Sequence, residues 1–454
     1  MSEAMELSGK RVLVMGAGRS GLAATALLRG RGARVTVIDA AAGGRLEANA
    51  ARMLEMGADV RLDFGQRSIP GEFDLAVVSP GIDPRVGWVP SLESAGVPVW
   101  SELELGARHC RCPIIAITGT NGKTTTTELC DAVLRRGGIR SRAAGNIGDA
   151  LSGAAGQSGE LDAIVVEVSS FQLERCITFK PRVAAFLNFT PDHMDRYASG
   201  ADYLSAKMKL FANMGEEDLA VVNESLGLMG LWPRRETFSA RLADADYTLA
   251  GKAIMHRGEA IADLGATRLM GPHNAENAMV AVAVGRFFGL KREVIQTALS
   301  AYNPAEHRCE WVGESGGIAF INDSKATNPD AVAVALESQE RPVVLIAGGS
   351  DKKLPFDSLA GLAARKVRAA VLIGQTASQI EAAWPGVRCV RAESMARAVE
   401  MARAEARTGD VVMLSPGCAS FDMFRDYADR GAQFKAAARQ LLDAPESRDV
   451  PTMK

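Results

Sequence analysis

Lysine and threonine follow a short glycine loop in Gly119-Thr120-Asn121-Gly122-Lys123-Thr124-Thr125. Four apolar residues before it, Ile114 to Ile117, read as a buried strand, and Glu128 to Arg136 after it reads as a helix that Gly137-Gly138 stops. Strand, glycine loop, Lys-Thr and helix in that order make a phosphate cradle. Backbone N–H groups and the helix N-terminus attract phosphate oxygens, the Lys123 ammonium adds charge, and the Thr124 hydroxyl can ligate Mg²⁺. The longer eight-residue form of the loop is not met, because its first glycine would fall at Ile117.

Further side chains could act on a phosphate held there. Glu167 lies in an otherwise apolar strand, Ala163 to Val168, where a carboxylate buried without a partner would be costly. A Lys or Arg partner would satisfy it; beside a phosphate loop the expected role is a Mg²⁺ ligand. His193 stands between Asp192 and Asp195 after the strand Val183 to Leu187, a place for a metal ligand or a base. Lys207 falls within the apolar stripe that Leu204, Met208 and Phe211 set on a helix from Ala201 to Met214, whereas Lys209 points away to solvent. An inward lysine needs an anion, a metal-linked role or an altered pKa. Asn274 and Asn277 open a helix that runs to Phe288 and put two amides on one side, as caps or as a hydrogen-bonding edge for a base such as adenine.

The first third carries a second signal of this kind. Lys10 to Met15 reads as a strand, Gly16-Ala17-Gly18-Arg19-Ser20-Gly21 follows, Leu22 to Arg29 reads as a helix, and a strand from Arg34 to Ile38 ends at Asp39. Such a Gly-x-Gly-x-x-Gly, with an acid about 20 positions on, suits a nucleotide's phosphates and ribose, or tight helix–strand packing alone. The strand Leu75 to Val78 ends in Ser79-Pro80-Gly81-Ile82, again small residues at a carboxyl end. In the last third, strands at Ile318 to Ile321, Val343 to Ala347, Ala369 to Ile373 and Val411 to Leu414 end in polar clusters or glycine. Carboxyl ends of parallel strands share one rim, so Asp323, Lys325, Lys352 and Ser420 should converge on a charged small molecule.

The elements that position these residues alternate strand and helix, the pattern of an α/β fold with parallel sheets. A chain of 454 residues accommodates about three domains. The stretch from Leu219 to Leu269 is too irregular to resolve, and Tyr302 to Glu306 reads as a linker. A net charge of −2 excludes a general attraction to nucleic acid or anionic membrane. Met1 to Lys10 holds two glutamates and no apolar run, so no signal peptide is expected, and no stretch is apolar enough to span a membrane. The seven cysteines are scattered, and Cys110-Arg111-Cys112 has no second pair to complete a zinc site. A soluble protein of a reducing cytoplasm is the expectation.

Taken together, Gly119 to Thr124, Glu167-Val-Ser-Ser-Phe-Gln-Leu, Asp192-His193-Met-Asp-Arg-Tyr, His307-Arg308 and Asp323-Ser-Lys325-Ala-Thr327-Asn resemble the Mur ligases, over nearly the whole chain. Asn322 to Asn328 is the most specific of them and is similar to the branch that adds D-glutamate. The resemblance implies three domains: a Rossmann-like UDP-sugar-binding domain at 1–102, a P-loop ATPase domain with a mostly parallel sheet at 103–304, and a Rossmann-like amino-acid-binding domain at 305–454. It implies ATP-dependent ligation of D-glutamate to UDP-N-acetylmuramoyl-L-alanine through an acyl phosphate, in cytoplasmic peptidoglycan precursor synthesis, with two Mg²⁺ ions and a monomeric enzyme.

The same resemblance assigns roles. Gly18, Arg19, Ser20, Asp39, Ser79, Gly81, Asn146 and Gln172 would hold the UDP-sugar. Gly119 to Thr125 would hold the phosphates of ATP, with Asn274 and Asn277 at adenine, Arg308 at the phosphates and Asp323 at the ribose. Thr124 and Glu167 would hold one Mg²⁺ and His193 the other. Lys207 would be carbamylated and help to position magnesium. Lys325, Thr327, Lys352, Ser420, Phe421 and Tyr427 would surround D-glutamate. Tyr427 stands where the family usually has Phe, and Lys352 has Lys353 beside it as an alternative contact. Parts of the site in the central and C-terminal domains must meet for transfer.

Three rival readings are weaker. An NAD oxidoreductase would use Gly16 to Asp39 but leave the Lys123 loop and Glu167 idle. A folylpolyglutamate synthetase shares the ATPase but has no separate domain before its phosphate loop. A non-catalytic nucleotide-binding module does not need Glu167, His193 and Lys207.

Overall fold

The computed structural model of the chain describes residues 6–65, 69, 71–83, 87–190, 192, 196–269, 271–303 and 306–443. It is α/β, with three sheets. β1 (Arg11–Met15), β2 (Arg34–Ile38), β3 (Asp59–Arg61), β4 (Leu75–Val78) and β5 (Val99–Ser101) form a parallel sheet in the order β3-β2-β1-β4-β5. The order reverses between β1 and β4, so the loops after those strands border the crevice where open α/β sheets bind ligands.

The second sheet has nine strands: β6 (Ile114–Thr118), β7 (Ser141–Gly145), β8 (Ala163–Glu167), β9 (Val183–Phe186), β10 (Leu219–Asn223), β11 (Arg234–Phe238), β12 (Tyr247–Ala250), β13 (Ala253–His256) and β14 (Glu259–Asp263). Their order is β14-β13-β12-β11-β10-β9-β6-β8-β7. β6 sits between β8 and β9, parallel to both, and all five of its residues are buried, as the run Ile-Ile-Ala-Ile requires when both faces are covered. The stretch unresolved in the sequence holds β10 to β14. β12 to β14 form an antiparallel meander with a bulge between Ile254 and Met255, joined to β11 at the single pair Phe238–Tyr247. Short strands and a bulge blur the alternation by which a strand is recognised.

The third sheet comprises β15 (Glu310–Ser315), β16 (Ile318–Asn322), β17 (Val343–Gly348), β18 (Val367–Ile373), β19 (Arg388–Arg391) and β20 (Val411–Leu414), ordered β15-β16-β20-β17-β18-β19. β15 is antiparallel to β16 and the other pairs are parallel. Alternation along β17 fills two cores: Val343, Leu345 and Ala347 pack with Phe356 and Trp384, while Val344 and Ile346 pack with Phe320 and Phe434.

The chain folds as two compact units. One contains the first two sheets and runs from the N-terminus to Thr267 and from Asn274 to Tyr302; the other contains Arg268–His273 and everything from Asn303. Among the described residues no helix is long and apolar enough to cross a membrane.

Two helices differ from expectation. The one after the glycine loop starts at Lys123, five residues before Glu128, because Gly122 already ends the loop. The expected helix Ala201 to Met214 is an α-helix only over Gly200–Met208 and tightens into a 3₁₀ turn over Lys209–Phe211. Its buried face is Tyr203, Ala206, Lys207, Leu210 and Phe211, with Leu204 and Met208 at the edge. Of the expected stripe Phe211 is buried and Leu204 and Met208 are half-buried, while Tyr203, polar at its tip, is buried more deeply than Leu204.

Candidate active site

The carboxyl ends of β6, β7, β8 and β9 bring the phosphate-type residues together. At the loop's end Gly122 has φ +83°, and a Cβ there would lie 2.6 Å from Asn277 Oδ1, so only glycine fits. Thr126 Oγ1 donates to Asn277 Oδ1 at 2.9 Å, and Asn277 Nδ2 donates to Asn274 Oδ1 at 3.2 Å. The two amides do share a side, and Asn277 is buried and pinned to the phosphate-loop helix.

The loop is held from β9 by a residue the sequence reading missed. Asn188 Oδ1 accepts from the backbone N–H groups of Thr120 (3.0 Å) and Asn121 (2.8 Å), and its Nδ2 donates to Asn121 O. Two of the amides expected to face phosphate are thus bonded to a side chain. The first-turn amides of a helix have no partner inside it, and Thr124 and Thr125 supply such groups. The apolar strand before Asn188 was legible, but 67 residues of sequence separate it from Asn121.

Glu167, 2% exposed at the end of β8, accepts from Thr124 Oγ1 at 2.7 Å and from Asn146 Nδ2 at 2.8 Å. Its partners are thus a hydroxyl and an amide. A carboxylate oxygen and a hydroxyl oxygen this close, at a helix N-terminus, are a donor set for a hard divalent cation such as Mg²⁺. His193 lies outside the described residues. Among those described, no group of three or more His, Cys, Asp or Glu could hold a metal ion, and the Cys110 and Cys112 sulfurs stand 3.8 Å apart.

Lys123 Nζ donates to the carbonyls of Gly119 (3.0 Å) and Thr120 (2.9 Å). Lys207, 1% exposed, faces inward as expected and donates to the same Gly119 oxygen at 3.0 Å, with its ammonium 4.6 Å from the centre of the Tyr203 ring. Burial, reinforced by the positive charge of Lys123 and opposed by Asp192, lowers the Lys207 pKa to about 6. Lys209 is exposed.

A cavity of about 380 Å³ opens where the first sheet reverses order. Gly18, Arg19, Ser20, Asp39, Ser79 and Gly81 line it, together with Asn146 and Gln172 from the second sheet's loops. Every residue assigned to a UDP-sugar therefore borders one space. Gly16 has φ +103° and its Cβ would meet Ser79 Oγ at 2.8 Å, which keeps the two loops in contact. Asp39 accepts from Ala17 N at 2.7 Å and Ala41 N at 3.0 Å, so the acid at the strand's end also holds the glycine turn. Gln172 accepts from the Ser169 backbone, closing a capping box.

In the second unit the loops at the carboxyl ends of β16, β17, β18 and β20 lie along one rim. Asp323 accepts from Ser415 Oγ at 2.9 Å and Cys309 N at 3.2 Å, and burial raises its pKa to about 7. Ser350 Oγ donates to Asp422 Oδ1 at 3.1 Å, and Gln375 N donates to the other oxygen, so the loops after β17, β18 and β20 meet. Lys325 places its ammonium 3.5 Å from the centre of the Tyr427 ring, a cation–π contact. Thr327 is half-buried, Ser420 buried, and Arg308 half-buried beside Asp323. Phe421 (75% exposed) and Lys352 face solvent, as does Lys353.

Residues 117–285 match the Mur ligase middle domain, and residues 307–418 match the Mur ligase glutamate ligase domain. The chain is 40% identical to the UDP-N-acetylmuramoylalanine–D-glutamate ligase of Pelotomaculum thermopropionicum, over 96% of this chain and 99% of that protein. It is 41% identical to the ligase of the same name from Syntrophotalea carbinolica, with the same coverage. Among solved structures its fold is similar to that of the UDP-N-acetylmuramate–alanine ligase of Thermotoga maritima. There the TM-score is 0.60 at 17% identity, covering 95% of this chain and 99% of that one.

Proposed function

The chain belongs to the Mur ligase family, and from that premise we propose that it joins D-glutamate to UDP-N-acetylmuramoyl-L-alanine at the expense of ATP. It is an ATP-dependent ligase of peptidoglycan precursor synthesis. The observation that carries the reading is the Thr124–Glu167 pair at the start of the phosphate-loop helix, in a chain whose likeness to D-glutamate ligases extends over nearly its full length.

The acceptor's carboxylate attacks the γ-phosphorus of ATP and ADP leaves, giving an acyl phosphate. The D-glutamate amine adds to its carbonyl carbon, and inorganic phosphate departs as the amide forms. Both steps bring anions together, so charge neutralisation and alignment are the protein's main contributions. In this reading Lys123 swings from the loop carbonyls to the β- and γ-phosphates, and the amides of Thr124 and Thr125 hold phosphate oxygens. Thr124 and Glu167 would hold Mg²⁺, which supplies positive charge to the phosphates when bound. Asn146 keeps Glu167 oriented. His193 is assigned to a second ion.

Lys207, largely neutral at pH 7, is the form of lysine that takes up CO₂ to become a carbamate, and that anion would sit beside Lys123. Asn274 and Asn277 are assigned to adenine, and Arg308 and Asp323 to the ATP phosphates and ribose. The cavity between Gly18 and Gln172 is assigned to the UDP-sugar. Lys325, Thr327, Lys352, Ser420, Phe421 and Tyr427 are assigned to D-glutamate. Residues 1–102, 103–304 and 305–454 are the corresponding functional divisions, and the enzyme acts as a cytoplasmic monomer.

Phosphate release from ATP, measured with the UDP-sugar acceptor and D-glutamate, L-glutamate or no amino acid, tests this. Release that needs acceptor and D-glutamate together is expected. Release with L-glutamate alone would overturn the pocket assignment, and absence of release from folded protein would overturn the reaction.

A further inference from the structure

Arg430 is fully buried, at 0% exposure. A guanidinium carries five N–H donors and a permanent charge, and burying that charge without an anionic partner is costly. All its hydrogen bonds nevertheless go to neutral oxygens: Nε to Ser324 Oγ (3.0 Å), one terminal nitrogen to Ser324 O (2.8 Å), the other to Cys418 O (3.1 Å) and Ala419 O (3.2 Å). Asp422 and Asp323 are near enough to feel the charge, but Asp323 is itself held partly protonated by burial, and Asp422 accepts from Ser350 and Gln375.

The positions of these acceptors matter more than their number. Ser324 lies between Asp323 and Lys325, and its hydroxyl also donates to Tyr427 O at 2.7 Å. Cys418 and Ala419 immediately precede Ser420 and Phe421. A Cβ on Gly349 would stand 3.3 Å from the Arg430 terminal nitrogen, so the loop leading to Lys352 runs against the same group. One side chain thus ties the loops after β16 and β20 to the start of its own helix, Tyr427–Asp443, and abuts the loop after β17. Each of those segments carries a residue assigned above to D-glutamate.

We propose that Arg430 is the positioning residue of the amino-acid pocket, and that its buried charge, hydrogen-bonded only to neutral oxygens, biases that pocket toward a dicarboxylate. The fixed fork sets the spacing of the loops, and its field favours an anion entering among them. This rests on the assignment of the pocket to D-glutamate.

The test compares wild type with Arg430→Lys and Arg430→Met in full-chain protein, after circular dichroism and thermal melting establish that each is folded. The expected result for Arg430→Met is a rise in KM for D-glutamate of about tenfold or more, with KM for ATP and the UDP-sugar acceptor nearly unchanged. Arg430→Lys, which keeps the charge but not the fork, should recover part of that loss. A fall in kcat with the D-glutamate KM intact, or equal rises in all three KM values, would assign Arg430 to folding alone and overturn the inference. If Arg430→Met does not fold, Arg430→Lys decides by the same comparison. Failure of the wild type to use D-glutamate would instead overturn the proposed function.

Discussion

Lys123 and Lys207, from different helices, donate to one acceptor, the Gly119 carbonyl oxygen, each at 3.0 Å. Two ammonium groups that share an oxygen repel each other, and the buried one yields: Lys207 is mostly neutral near pH 7, whereas the half-exposed Lys123 lies at a helix start where phosphate is expected. The pair divides two jobs between two lysines, one placed at the phosphate loop and one able to react as an amine.

Uptake of CO₂ is the first consequence. Activity in CO₂-depleted buffer should rise on adding bicarbonate, and ¹³C-labelled bicarbonate should give a carbamate carbon resonance that Lys207→Arg lacks. Lys207→Arg should lose about 100-fold in kcat/KM. A wild type indifferent to bicarbonate would remove carbamylation from the mechanism.

Stability should carry two opposite pH dependences. The Lys207 pKa of about 6 lies below its ordinary 10.5, so between these values the unfolded chain binds more protons and stability rises with pH. The Asp323 pKa of about 7 lies above its ordinary 3.8, so across that window the folded chain binds more protons and stability falls as pH rises. Urea midpoints in CO₂-free buffer from pH 4 to pH 9 should lose the rise in Lys207→Met and the fall in Asp323→Asn.

Replacing Glu167 with Gln keeps the shape but removes the charge that a divalent cation needs. The expected outcome is a loss of about 100-fold in kcat/KM and a higher Mg²⁺ requirement in a titration, with an unchanged melting temperature. Asn146→Ala should lose less in kcat, because it orients Glu167 without supplying the charge, and should also raise KM for the UDP-sugar whose cavity it lines.

Asp39→Asn should act on one substrate. Its carboxylate holds the Ala17 and Ala41 amides beside the cavity, so KM for the UDP-sugar should rise about tenfold while KM for ATP stays constant.

A purely structural acid provides the contrast. Glu104, at 0% exposure, accepts from the amides of Ile177, Thr178 and Phe179, from the Thr178 hydroxyl and from Arg108 Nε. Glu104→Gln sets an NH₂ against donors and should cost about 3 kcal/mol in denaturant unfolding, leaving Michaelis constants alone.

The strands that deliver the site were legible because they are runs such as Ile114 to Ile117 and Val411 to Leu414, buried on both faces and followed by glycine or polar residues. The clustering of Gly18, Asp39 and Ser79 around one cavity followed from their places at strand ends, whereas Gln172 was expected there only from the resemblance. The residues that hold the loops were not legible. Asn188, Glu104 and Arg430 bind backbone groups 67, 74 and 106 positions away, and nothing local marks an Asn, Glu or Arg that will do so. On the Lys207 helix the inward places of Lys207 and Phe211 were legible, and that of Tyr203 was not, because it is buried more deeply than its polarity suggests.

The ladder between β11 and β12 has the single pair Phe238–Tyr247, braced by side-chain bonds between Thr237 and Asp246 and from the Tyr247 hydroxyl to Glu236. In hydrogen exchange the amides of β12 to β14 are expected to open at a lower free energy than those of β6 and β8, which are paired along both edges. The meander is therefore the part of the sheet where insertions and substitutions can accumulate while the phosphate loop keeps its shape.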